Sequence, residues 1–189
     1  ATQLLGDLGA DVIKVERPGG DGFRSWTSMK GGEGSAFSQL NRNKRSIVLD
    51  LKKASDQAAA KALACNVDVV VENYRPGALA SAGLSYDVLH ATHPGLIYCS
   101  ISGYGQTGPY RERGGFDLIT QGMSGLMSVR GQNAGPPHRM PIAISDVAAG
   151  MHLAVGVLAA LEARHHTGRG QLVETSLLES ALSFGVYEA

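Results

Sequence analysis

The sequence predicts an α/β fold, a Rossmann-like parallel sheet with flanking helices, on three observations. Short apolar runs alternate with helix-like stretches, the order that parallel strands joined by crossover helices produce. The run Val67-Asp68-Val69-Val70-Val71-Glu72 carries a triple valine, which suits a strand covered on both faces. The stretch Val147 to Leu161 is small and apolar almost throughout, as a buried helix requires. At 189 residues the chain is one domain's worth and can bury a sizeable core.

Taken in order, residues 1–9 read as the second half of a helix closed by Gly9, and Asp11 to Glu16 as a short strand. Arg17-Pro18-Gly19-Gly20-Asp21-Gly22 is a loop. Residues 23–45 are polar and Gly-rich, loosest at Gly31 to Gly34, and read as a long excursion tied down by Phe23, Trp26 and Phe37. The basic cluster Asn41 to Arg45 leads into a strand, Ser46 to Leu51, with Ile47, Leu49 and Leu51 on one face. Lys52 to Asn66 is an Ala-rich helix, and the valine strand follows as the most buried of the set. The loop Asn73 to Gly77, one or two short helices through His90, and a strand from Leu96 to Ser102 come next. A Gly-rich loop, a short helix around Asp117 to Met127, the long helix, a strand near Gln171 to Thr175 and a closing helix complete the order. The uncapped ends suggest a piece of a longer protein.

The long helix organises the rest. Val147, Met151, Ala154, Leu158 and Leu161 recur at helical spacing, while Leu153, Val157 and Ala160 form a second apolar face, so it is expected to be buried nearly all round. Ser145 or Asp146 stands where an N-cap belongs, Arg164, His165 and His166 suit the negative pole, and Thr167-Gly168 supplies the stop. Asp146, a carboxylate at the mouth of a buried helix, is either a cap alone or the group that carries chemistry.

Lys+Arg and Asp+Glu both number 17 and aromatics are 6% of the chain, a balance that disfavours a nucleic-acid surface. Cys65 and Cys99 lack metal or redox spacing and read as buried thiols of a cytoplasmic protein. No metal site, membrane span or signal peptide is expected. In sheets of this class ligands gather beyond the carboxyl ends of the strands. The loops at 17–22, 73–77 and 103–115 therefore stand out, with Arg17, Arg75 and Tyr74 suited to an anionic ligand bearing an adenine.

Three motifs tempt and fail. Gly103-Tyr104-Gly105-Gln106-Thr107-Gly108 matches the dinucleotide fingerprint, but Pro109 and a charged run follow where a helix should open, so it reads as a flexible active-site loop. Ser124 lacks a nucleophile elbow, and His165-His166 lacks a third metal ligand. His152 reads as a packed core histidine.

Several stretches together are similar to the class III coenzyme A transferases, the CaiB/BaiF family of formyl-CoA transferases, carnitine CoA-transferases and α-methylacyl-CoA racemases. They are Leu8 to Glu16, Asn43 to Ile47, Val71 to Gly77, Ser102 to Gly105, Gly115-Phe116-Asp117, Asp146 with its helix, and Arg164 to Gln171. The resemblance spans essentially the whole chain. It implies that residues 1–189 are the N-terminal portion of a large CoA-binding α/β domain, without the first strand, the small domain and the C-terminal return. It also implies an interlocked homodimer. Asp146 would be the catalytic aspartate, and Arg17, Leu49, Lys52, Asn73, Tyr74 and Arg75 the CoA contacts. Coenzyme A and acyl-CoA would be substrates rather than a prosthetic group, with a small carboxylic acid as second partner. An arginine that some transferases use for CoA is Ser81 here, with Arg75 as a substitute. The racemase branch places a histidine where this chain has Phe116, so a transferase outranks an acyl-CoA racemase.

Overall fold

The structure, a computed structural model, describes residues 1–26, 34–129 and 135–186. Its strands are parallel, as expected, but lie in two sheets. Strand β1 (Val12–Glu16) pairs with β2 (Lys44–Val48), and β3 (Val69–Glu72), β4 (Ile97–Ser102) and β5 (Leu172–Ser176) form the second sheet in that order. The helices are α1 (Thr2–Asp7), α2 (Ser35–Asn41), α3 (Ala54–Ala64), α4 (Tyr86–Thr92), α5 (Asp117–Met123), α6 (Ile144–Thr167) and α7 (Leu177–Leu182).

The core sits on the two faces of β4, whose period-two alternation separates them. Leu96 and Tyr98 join Leu49, Ala60, Ala64, Leu84 and Leu89 on one side. Ile97 and Cys99 meet Leu5 and the Leu153, Val157, Ala160 stripe of α6 on the other. β4, rather than the valine strand, is the most buried strand, because it is central in its sheet while β3 lies at an edge. Burial pushes the Cys99 thiol up to about 12, which makes it inert. Helix α6 lies so close to β5 that a Cβ on Gly156 would stand 2.7 Å from Val173 Cγ1. Its far end is anchored by Arg164, which donates to Asp68 Oδ1 at 2.8 Å and to the Gly95 carbonyl at 3.1 Å.

Several expectations are corrected. Residues 23–45 are not one excursion, since α2 forms within them. Phe37 is buried under the Arg24 guanidinium at 3.9 Å, whereas Phe23 and Trp26 stack on each other and stay exposed. The loosest residues, 31–33, lie outside the described ones. β2 starts and ends earlier than expected, so Ile47 is exposed and Leu49, just beyond the strand, is the buried residue. The basic cluster is consumed locally: Arg42 pairs with Asp7 and Arg45 with Asp11, both at 2.5 Å.

Helix α6 is not buried all round in this chain. Ala154 is buried, but Val147, Met151, Val155 and Leu158 are exposed, and the core contact falls to the face expected to be secondary. His152 is likewise exposed, with Nδ1 3.1 Å from Ser180 Oγ. Contrary to expectation, α6 is long and apolar enough to cross a membrane by length and composition. The same composition serves a helix with one face packed on a sheet, as here.

Candidate active site

Because all strands of the second sheet are parallel, β3, β4 and β5 end on the same side, at Glu72, Ser102 and Ser176. The loop leaving β4 returns to its own start. Gly103 and Gly115 touch so closely that a Cβ on Gly103 would lie 2.5 Å from Gly115 Cα, a contact open only to glycine. Residues 103–115 are thus a loop with a pinched base, which delivers the chain directly into α5.

Asp117 opens α5 and holds the start of α6. Its Oδ1 accepts from the Ser145 N–H at 2.9 Å and its Oδ2 from Gln121 Nε2 at 2.7 Å. Gln121, wholly buried, accepts from the Met140 N–H at 2.8 Å and donates to the Ile142 carbonyl at 3.2 Å. The expected cap is therefore corrected. The N-cap residue is Ala143, with no side-chain bond, and Asp117 satisfies the helix's free amide from outside. Neither Ser145 nor Asp146 caps the helix.

Freed from capping, the Asp146 carboxylate has no hydrogen-bond or ion-pair partner among the described residues. Partial burial raises its pKa above the ordinary aspartate value, and the negative charge of Asp117 raises it further. By surface area the residue is nonetheless exposed. Both hold for a carboxylate backed by packed protein on one side and open on the other. Its place in the first turn of α6 opposes the shift, since the helix's positive pole favours the charged form. The result is a reachable anion more basic than a free carboxylate.

A cleft of about 290 Å³ lies where β1 and β2 end. Four of the expected ligand residues line it together: Arg17, Leu49, Lys52 and Tyr74, with Ser81 on the same wall. Its floor is fixed by Glu16, 4% exposed, which takes two bonds from Arg24 at 2.8 Å, one from Ser46 at 2.6 Å and one from the Asp21 N–H at 2.9 Å. The Arg24 guanidinium holds the Glu16 carboxyl far below the usual range, so Glu16 stays charged and Arg24 neutralises it. Arg17 is exposed, its Nε donating to the Gly20 carbonyl at 3.3 Å, and presents a cation to the cleft.

Asn73 and Arg75 do not line this cleft. Arg75 lines a second, of about 160 Å³, beyond the shared wall of Ala78 and Leu79, with Glu72, Ser100, Gln106 and Glu174. Sequence reasoning did not single out Asp117, Gln121 or Glu72 as site residues. Asp117 follows a Gly-Gly-Phe turn at a predicted helix start, a signal that it serves an exposed amide, but whose amide is set only by the fold.

A sequence model of CoA-transferase family III matches residues 1–189, the whole chain. The chain is 45% identical over 185 residues to the mouse (Mus musculus) succinyl-CoA:glutarate CoA-transferase, covering 97% of this chain and 42% of that protein. It is also 45% identical to the succinyl-CoA–D-citramalate CoA-transferase of Chloroflexus aurantiacus, covering 96% and 46%. A crystal structure of a CAIB/BAIF family protein from Brucella suis superposes with a TM-score of 0.93 at 39% identity, over 98% of this chain and 50% of that one. The chain thus spans about half the length of the curated relatives it matches. With the parallel α/β architecture and the motifs in order, this chain belongs to CoA-transferase family III.

Proposed function

We propose that the intact protein transfers coenzyme A from an acyl-CoA to a carboxylic acid, through a covalent intermediate on Asp146. One observation carries the reading: an exposed carboxylate of raised basicity with no partner among the described residues, at a helix start held by a cap that comes from Asp117. Asp146 attacks the thioester carbonyl, the C–S bond breaks and CoA thiolate leaves, giving a mixed anhydride. The thiolate attacks the aspartyl carbonyl, releasing the first acid and forming an aspartyl-CoA thioester. The incoming carboxylate attacks that carbonyl and expels the thiolate, which then takes the new acyl group and frees Asp146. Every step exchanges one acyl bond for another, so the thioester's transfer energy is kept and no oxidant or metal is consumed. We assign the tetrahedral oxyanion to the glycine loop that leaves β4, Gly103 to Gly108.

Arg17 and Lys52 hold CoA phosphates and Tyr74 packs on the adenine, which supports binding energy remote from the reacting carbonyl. The acids named for the two relatives, glutarate and D-citramalate, are dicarboxylates, and we assign this chain the same substrate class. Racemisation at the α-carbon ranks lower, because Phe116 offers no proton-transfer group beside Asp117.

The test is hydroxylamine trapping of the intact enzyme incubated with succinyl-CoA and other acyl-CoAs. Trypsin releases Met140 to Arg164 as one peptide, and a hydroxamate on Asp146 is expected, absent in Asp146→Asn. An unmodified peptide from a sample that turns over would sink the covalent assignment.

A further inference from the structure

The parallel register sets Glu72 opposite Ser100 and Ser100 opposite Glu174, a row across three strands that faces the second cleft. Glu72 Oε1 accepts from the Ser100 hydroxyl, and Oε2 accepts from the Tyr74 N–H at 2.8 Å. Ser100 Oγ in turn accepts from Gln106 Nε2 at 2.7 Å. One half-buried carboxylate thereby reaches two loops at once. The first carries Tyr74, a wall of the larger cleft, and the second is the pinched loop from Gly103 to Gly115. Arg75 adds a parallel link, packed so closely on Gly114 that a Cβ there would lie 3.2 Å from Nη2.

The bland alternative is that Glu72 merely ends its strand. A neutral acceptor would do that at lower cost. Burial raises the Glu72 carboxyl above the usual range despite the Ser100 and Tyr74 bonds, so its charge is held at the expense of stability.

We infer that Glu72 is a positioning residue that, through Ser100 and Gln106, locks the Tyr74 loop to the Gly103–Gly115 loop and so aligns the bound thioester with the loop over the reaction. The inference rests on the CoA-transfer reading given above. The groups facing Glu72 are Arg75 from its own loop, Tyr98 and Ser100 from β4, and Glu174 from β5, with Glu179 of α7 adding negative charge at Glu174. Protonation of Glu72 puts an O–H on a carboxyl whose two oxygens both accept here, which weakens one of the two links between the loops, and it does so in milder acid than for an ordinary glutamate.

A double-mutant cycle on the intact enzyme tests this, read by calorimetric titration with CoA and by steady-state kinetics. Glu72→Gln keeps shape and the Tyr74 bond but presents a donor to Ser100. Gln106→Ala breaks the relay from its far end, outside the CoA cleft. Each is expected to weaken CoA binding about three- to tenfold, and the double variant no more than the worse single. The acyl-CoA KM of the wild type rises as pH falls through the mildly acid range, while that of Glu72→Gln stays flat. Additive losses, or unchanged CoA affinity with only a lower melting temperature, would overturn the inference. A wild type that binds CoA but transfers nothing would overturn the transfer reading instead, and the binding cycle would still decide the coupling.

Discussion

At the scale of the residue, Asp117 and Asp146 divide the work of two carboxylates at one helix start. Asp117 spends its lone pairs on the Ser145 amide and Gln121, and its charge makes Asp146 more basic. Asp117→Asn removes that charge and turns an acceptor on Gln121 into a donor. It is expected to shift the acid limb of the kcat/KM profile to lower pH, and to cost about 1 kcal/mol of stability for the lost bond. A limb that does not move would mean that Asp117 only caps. Asp146 itself has a folded pKa above its unfolded value, so the stability it contributes is full below the unfolded pKa and falls as pH rises through the folded one. Asp146→Asn should therefore melt higher than wild type at pH 7, with the gap closing as pH falls below the unfolded aspartate pKa. An equal gap at neutral and acid pH would exclude this linkage. In the sequence a lone acid opening an apolar helix drew attention to Asp146, as a cap or as a reactive group, and the family resemblance favoured the second. The sequence left Asp117 obscure because its partner amide is 28 residues away.

At the scale of the element, α6 is held by one stripe, not by its whole circumference. Leu153 is fully buried against Ile97 and Cys99, so Leu153→Ala leaves a cavity and should cost about 2–5 kcal/mol by urea unfolding. Met151, exposed two residues away on the opposite face, should cost under about 1 kcal/mol on truncation within this 189-residue chain. Equal costs would mean that the helix is seated differently. Periodicity alone cannot rank the two faces, because Val147, Met151 and Leu158 are as apolar as Leu153 and Val157. Only the sheet, which accepts one stripe through Gly156 against Val173, chooses between them.

At the scale of the molecule, this chain leaves much apolar surface open: Val147, Met151, Val155 and Leu158 on α6, and Phe116, Leu118, Ile119 and Met123 at α5. Contiguous patches of that kind drive association. Residues 1–189 expressed alone are expected to bind a hydrophobic dye and to self-associate into large species in light scattering, and the intact protein to leave the dye dark and scatter as no more than a dimer. A monomeric, dye-silent 189-residue chain would refute this.

The sequence by itself determined the class of fold and the order of nearly every strand and helix. Those follow from short-range chemistry: alternation, helical periodicity and turn residues. It also carried the family's motifs in order. Only the tertiary structure decided that the strands divide into two sheets and that β4 rather than the valine strand is the buried centre. It also separated Arg75 from Arg17, Lys52 and Tyr74, and gave α6 its cap from another helix. Each of these depends on which distant segment fills a space, and local pattern holds no record of that.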